Sequence, residues 1–345
     1  MIDEGMFLGV EEYWAGGWHG RSVFRVREGL LYPVGGDQLV TDVELPGTLF
    51  PRLTDHHVHV GLVDAEQIMP GGITAVVDLG WVPRLAAEWH TESGFPGSPL
   101  PEVRIAGGLL TCEGGYPVNA GWAPAGAAVE LRGPADADAA VRAQIALGAS
   151  VIKVTVNSDE GPVPSPELLT AIVTAARAHG VPVAAHVQGD GMTRRALDAG
   201  VNVLAHTPFT EVLDSDIVAR LSRAGTAVVS TLDIHGWGSP TDEYENALVN
   251  LTRIAAAGGR VRYGTDLGNG PLPVGINPRE LAALADAGLD REALVASIAG
   301  TWQPSSIGPR LAWVPGSPPE TAAETAEWLS GARASTIDYL EETLV

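Results

Sequence analysis

Short apolar, β-branched runs punctuate the chain at Ile73–Leu79, Val103–Leu110, Val151–Val156, Val181–Val187, Val201–Ala205, Ala227–Leu232 and Val261–Tyr263, and another around His57 precedes them. Helix-like segments fill most of the gaps, over Asp136–Leu147, Pro166–His179, Gly191–Ala199, Ser215–Ala224 and Glu243–Ala257. Leu147-Gly148, His179-Gly180, Ala199-Gly200, Ala224-Gly225 and Ala257-Gly258 each place a glycine just past a predicted helix, where a left-handed residue closes it cheaply. Near-continuous apolar strands alternating with helices imply a parallel sheet covered on both faces. Eight such units predict an α/β fold of the (β/α)8 TIM-barrel type. An open doubly wound sheet is the alternative, weakened because no glycine-rich phosphate loop follows the first strand.

Ahead of the barrel, Val23–Arg27, Leu30–Tyr32 and Leu39–Val43 read as short strands broken by Glu28-Gly29 and Gly35-Gly36-Asp37. They predict a small N-terminal β-sandwich-like domain over residues 1–50, built from hairpins. Residues 1–20, with Trp14 and Trp18, show no period and receive no element. The barrel is assigned to residues 51–304 and ends in predicted helices at Pro278–Ala287 and Asp290–Ala299. Residues 305–345 are read as a helical C-terminal extension: a Pro/Gly-rich connection, whose residues near 305–318 join the small domain, and one or two amphipathic helices in Glu320–Val345.

The ionisable residues fall at the C-terminal ends of the predicted strands, where barrels build their active sites. Asp55-His56-His57-Val58-His59 closes the first strand. Residues two apart on a strand share a face, so His57 and His59 stand roughly 7 Å apart at Cα and can converge on one ion about 2 Å from each nitrogen. Strand 4 carries Lys153 in an apolar run, strands 5 and 6 end in His186 and His206, and strand 8 ends in Asp266. Singly, each has an ordinary explanation: a buried histidine, a lysine reaching the rim, an aspartate capping a helix. Together at one barrel mouth they are costly to bury unless paired or metal-bound. Among the other histidines, His56 points to the opposite face, His179 sits in a last helical turn, and His235, after strand 7, is the one further candidate.

Composition narrows the chemistry further. The chain has 345 residues, within the reach of a single α/β barrel, and is 45% hydrophobic. Its one cysteine, Cys112, excludes an intrachain disulfide and a zinc-thiolate site, and suits a cytoplasmic location. Acidic residues near Met1 replace the positive charge of a signal peptide, and no apolar run approaches a membrane span. A net charge of −21 argues against nucleic acid and anionic membranes as partners, leaving a small-molecule substrate. Homo-oligomerisation stays open.

The set Asp55-x-His57-x-His59, Lys153, His186, His206 and Asp266 resembles the metal-dependent amidohydrolase superfamily. Gly72–Gly80, His186–Gly189, Ala196–Gly200 and Gly264-Thr265-Asp266 bring it closer to the imidazolonepropionase-like and prolidase-like branch. The resemblance runs from about Val23 to Ile307 and is specific for the superfamily, not for a substrate. It implies two divalent metal ions, one held by His57, His59 and Asp266 and the other by His186 and His206, bridged by Lys153 carboxylated to a carbamate. Imidazole and carboxylate donors suit zinc, with manganese, iron and nickel as alternatives. The carbamate requires a neutral amine, which burial and nearby cations favour. The implied activity is hydrolysis of an amide, cyclic amide or peptide-like C–N bond by a metal-bridging hydroxide, with Asp266 as base and then acid.

Two departures from the branch stand out. Gly114-Gly115-Tyr116 replaces the usual Gly-Gly-His, and the C-terminal strands that complete the small domain are hard to find after Pro309. Substrate choice belongs to the loops, where Tyr116, Trp122, Trp81, His235 and Trp237 are candidate contacts. An arginine such as Arg84 or Arg262 is a candidate for a substrate carboxylate, although nothing in the sequence selects it. A mononuclear deaminase would use His57, His59, His186 and Asp266, but it lacks the glutamate expected after His186 and leaves Lys153 without a role. A lactonase or esterase would use the same hydroxide, and a catalytically dead scaffold would be expected to have lost ligands that are all present here.

Overall fold

The computed structural model describes residues 4–34, 40–95, 97–301 and 303–340. The predicted Gly35-Gly36-Asp37 turn, Leu39 and the last five residues of the predicted C-terminal helix lie outside them. Strands β1 (Phe7–Tyr13), β2 (Ser22–Arg27), β3 (Leu30–Val34) and β4 (Val43–Phe50) come first. Next are β5 (Thr54–Val58), β6 (Ala75–Asp78), α1 (Pro83–Ser93), β7 (Glu102–Ile105), β8 (Leu109–Cys112) and β9 (Ala128–Leu131). The regular alternation follows: α2 (Ala137–Ala146), β10 (Ile152–Asn157), α3 (Pro166–Ala178), β11 (Val183–Gln188), α4 (Met192–Ala199), β12 (Val203–Leu204), α5 (Ser215–Ala224), β13 (Ala227–Val229), α6 (Asp242–Ala256) and β14 (Arg260–Arg262). Helices α7 (Pro278–Asp286) and α8 (Arg291–Ala299) precede β15 (Arg310–Val314), α9 (Ala322–Leu329) and β16 (Arg333–Thr336).

Two parallel sheets carry the alternation, a seven-stranded one ordered β14-β13-β12-β11-β10-β8-β9 and a three-stranded one ordered β5-β6-β7. They meet at two places. A parallel bridge joins Val58 to Leu267, with Asp266 N donating to His57 O at 2.8 Å and His56 N to Tyr263 O at 3.1 Å. On the other side the chain passes from β7 straight into β8 through Gly107-Gly108, and Ser150 N donates to Ile105 O at 3.0 Å. Gly107 has a φ of +76°, a turn that splits the single predicted run Val103–Leu110 in two. All five helix-ending glycines named above also have positive φ.

Side-chain facing follows the strand period, although β10 and β11 are buried almost throughout. Val151 and Ala184 belong to an apolar cluster with Val203, Ala227 and Val229, and two residues further on each strand stand Lys153 and His186. One strand face thus supplies both the packing and the polar groups above it. The helices cover the sheets with a large shared core that includes Leu169, Ile172, Leu204, Leu251 and Leu294. Among the described residues no helix is long and apolar enough to cross a membrane.

Four elements differ from the sequence reading. Helix α1 is present where the sequence reading placed no helix; it opens on Pro83, and proline at the first helical turn lacks an N–H that would have no partner there. Phe7–Tyr13 is a strand, and the tail is not wholly helical: β15 and β16 flank the single helix α9. The third sheet, ordered β16-β15-β4-β1-β2-β3, therefore takes strands from both ends of the chain. The C-terminal strands that the sequence hides are thus present. Their partners lie far away in sequence, β15 pairing antiparallel with β4 through Trp313↔Leu49, so no local pattern announces them. This sheet packs its own core of Leu8, Phe24, Leu45, Leu49 and Trp313. Phe50, fully buried against Trp328 of α9 with ring centroids 5.9 Å apart, ties the small sheet to the core shared by the parallel sheets and helices. Phe50→Ala is expected to cost about 3–5 kcal/mol, read from the denaturant midpoint of the whole chain.

Candidate metal centre

The six residues singled out by the sequence lie side by side at the C-terminal ends of the parallel strands, and all are buried. His57, His59 and Asp266 form the tightest group, their ligand atoms all within 4.8 Å of one another. Asp266 Oδ1 lies 3.1 Å from His57 Nε2 and 3.3 Å from His59 Nε2. The row continues through His206, whose ring centroid is 4.6 Å from that of His57, to His186, another 4.9 Å on. Lys153 Nζ stands 3.5 Å from His57 Nε2.

Backbone carbonyls fix the protons. His57 Nδ1 is 2.8 Å from Ala205 O, and His59 Nδ1 is 2.9 Å from Gly80 O. A carbonyl only accepts, so each Nδ1 carries the ring hydrogen and each Nε2 presents a lone pair. Both lone pairs face Asp266 Oδ1, which is buried without a hydrogen-bond donor. Three electron-rich atoms thus converge with no proton between them, which is the donor set of a divalent cation. Burial holds His57 and His206 well below the usual imidazole range, brings His186 down to about 3, and brings Lys153 down to about 7. Burial alone would raise Asp266, but its place against His57, His59 and His206 holds the carboxyl well below the usual carboxylate range. Neutral imidazoles, an ionised aspartate and an amine near neutrality fit a metal pair with a carbamate.

Asp55, to which the sequence reading gave no role, locks this geometry. Its Oδ1 accepts from His57 N and Thr265 N, both at 3.0 Å, and its Oδ2 from Thr265 Oγ1 at 2.5 Å. It therefore clamps the first strand to the segment that carries Asp266, itself held at a φ of +56°. Asp78 acts similarly at the next strand, accepting from Val60 N and Gly80 N and so fixing the carbonyl that orients His59. Thr231 Oγ1 lies 2.9 Å from His206 Nδ1.

A cavity of about 390 Å³ opens over these groups. Tyr116 stacks on His186, Trp122 leans on His59, and Trp122 Nε1 donates to Tyr116 Oη at 3.0 Å. His235 lines the wall beside Phe209, its Nε2 buried without a partner. Trp237 does not line the cavity: its indole N–H is tied to Asn269 O and the ring is 45% exposed. Trp81 packs against Trp89 instead. Neither Arg84 nor Arg262 reaches the wall, correcting their reading as carboxylate contacts; Arg262 lines a different cavity. Glu160, Gln188 and Asn269 do line it and were missed. Each follows a strand end, a positional signal that the search for metal ligands passed over.

No family model matches the chain. Uncharacterized proteins of Mycobacterium tuberculosis and Mycobacterium bovis are 28% identical to it over 291 residues, covering 74% of this chain and 73% of each relative. Solved structures agree more widely in shape. A Xaa-Pro dipeptidase with bound methionine superposes with a TM-score of 0.75 at 18% identity, covering 94% of this chain and 96% of that one. The fold is that of the prolidase-like amidohydrolases. Within this fold, Aspergillus niger ochratoxinase matches with a TM-score of 0.73 at 18% identity over 95% of this chain and 93% of its own. A putative prolidase from Bifidobacterium longum gives 0.71 at 21% identity over 96% and 92%.

Asp55 gives the site a testable joint. Asp55→Ala leaves three buried donors without acceptors, at about 1–3 kcal/mol each. Zinc affinity, measured by competition with a chromophoric chelator, is expected to fall by about 10–100-fold as Asp266 loses its anchor. Unchanged affinity would mean that the clamp does not orient the site.

Proposed function

We propose that the protein is a binuclear metal-dependent amidohydrolase that cleaves a C–N bond in a small molecule, working in a closed (β/α)8 barrel. The observation that carries this reading is the convergence of His57 Nε2, His59 Nε2 and Asp266 Oδ1 with no proton among them. In this reading His57, His59 and Asp266 hold one divalent ion, most simply zinc, and His186 and His206 hold the other. Lys153 supplies the bridge as a carbamate. Such ions, when bound, lower the pKa of water toward about 7 and polarise a carbonyl.

The chain's own residues do the rest. Asp266 takes a proton on its carboxylate from the attacking water and delivers it to the leaving nitrogen. Asn269 Nδ2 donates to Asp266 Oδ2 at 3.0 Å and holds that carboxylate in place. Tyr116 Oη already accepts from Trp122, so its own proton is free for a substrate oxygen, and burial keeps the hydroxyl protonated. His235, which burial brings down to about 4, is neutral and offers its unpartnered Nε2 to the substrate. Among the described residues the wall has no arginine and no lysine other than Lys153, while Glu160 adds a carboxylate. The part of the substrate that enters this cavity is therefore neutral or cationic, not a free carboxylate, with an apolar portion against Tyr116, Trp122 and Phe209.

Asp266→Asn is expected to lower kcat by about 10²–10⁴-fold with metal-loaded protein. Lys153→Ala should drop metal content from two ions per chain; a variant with two ions and full turnover would refute the carbamate bridge. Because carboxylation needs the neutral amine and Lys153 titrates at about 7, reactivation of chelator-stripped protein by bicarbonate and zinc should quicken as pH rises through neutrality. Amide-capped N-acyl amino acids should show higher kcat/KM than the free acids, and the reverse preference would overturn the assignment of the wall.

A further inference from the structure

The strands that carry the metal ligands have a second face. Along β5, Thr54 and His56 alternate with Asp55 and His57 and therefore point away from the metal centre. On that side lies a second cavity of about 770 Å³, bounded by the outer faces of β5, β6, β7 and β14 and by α8. Arg52, Arg104, Arg260 and Arg262 all line it. Four guanidiniums in one cavity are unexpected in a chain of net charge −21.

Glu102 serves two of them at once, its Oε2 accepting from Arg52 and its Oε1 from Arg104 Nε at 3.0 Å. Arg260 reaches only a carbonyl, Gly225 O at 3.4 Å. Arg262 is half-buried, and its guanidinium makes no hydrogen bond or ion pair among the described residues. The one carboxylate on the wall, Asp290, is engaged as the cap of α8, accepting from Ala293 N at 2.8 Å. Burial and the neighbouring Arg260 and Arg104 all act against the charge on Arg262. A guanidinium held between like charges and partly out of water is destabilising unless an anion joins it. The planar fork of arginine matches phosphate oxygens two at a time, and a volume of this size admits more than a bare inorganic ion. The remaining wall is mixed: Val77, Val261, Ala293 and Ile298 give it an apolar part, beside the polar Thr54, His56, Ser297 and Thr301.

We propose that this outward-facing cavity is a binding site for a phosphate-bearing small molecule, with Arg262 and Arg104 gripping the phosphate and the apolar part of the wall taking the organic portion. The site is separate from the metal centre and does not depend on what that centre hydrolyses.

The test is isothermal titration of the zinc-loaded full chain at fixed ionic strength, with inorganic phosphate and adenosine monophosphate as probes. Both should bind once per chain, the nucleotide more tightly because it also uses the apolar part of the wall. Arg262→Gln should weaken both by about tenfold or more, Arg262→Lys by less because the charge remains without the fork. Asp266→Asn, on the other face, should leave both affinities unchanged. If Arg262→Gln fails to fold by circular dichroism, Arg104→Gln at an exposed position takes its place with the same expectation. No saturable binding of either probe by the wild type would overturn the proposal. So would binding that survives loss of Arg262 or Arg104 and vanishes in Asp266→Asn, since the anion would then sit on the metals.

Discussion

The structure rests on one electrostatic constraint: three buried acceptor atoms, His57 Nε2, His59 Nε2 and Asp266 Oδ1, point at one another, Asp266 Oδ1 with no donor and His57 Nε2 with only the Lys153 amine 3.5 Å away. Left alone, such a cluster opposes folding, because electron-rich groups removed from water need a partner. The surrounding chain makes the arrangement unavoidable. Carbonyls of Ala205 and Gly80 claim the Nδ1 protons, and Asp55 and Thr265 pin the segment bearing Asp266 against the first strand. The ligands are thus held before any cation arrives, and binding energy is not consumed in ordering them.

The same contacts join the architecture to the site. The bridge from Val58 to Leu267 and the bond from Asp266 N to His57 O link the first strand to the end of the last one. They are also the bonds that bring Asp266 beside the two histidines, so whatever loosens the seam loosens the donor set. Gly107, by turning the chain between β7 and β8, performs the corresponding task on the other side.

Strand alternation gives these few strands two separate chemistries. Inward residues of β5 carry the histidines, while the outward side of β5, β7 and β14 gathers arginines around a cavity of its own. The small sheet, drawn from both ends of the chain, joins the core of the parallel sheets through Phe50 and Trp328 without entering either cavity.

The sequence by itself determined the alternation of strands and helices, the left-handed glycine stops and the six polar residues at strand ends. These are local: a period of two or of 3.6, and a residue's position relative to its own strand, are written in neighbouring letters. It also excluded a thiolate site, since Cys112 is alone. What the tertiary structure decided is whatever required distant partners. Asp55 became a clamp because Thr265 lies beside it; β15 became a strand because β4 offered an edge; His235 reached the cavity and Trp237 was held outside it by Asn269. Arg262, which the sequence offered to the substrate, turned out to face the opposite way, because on β14 the side of the sheet is fixed by register with β13 and not by composition.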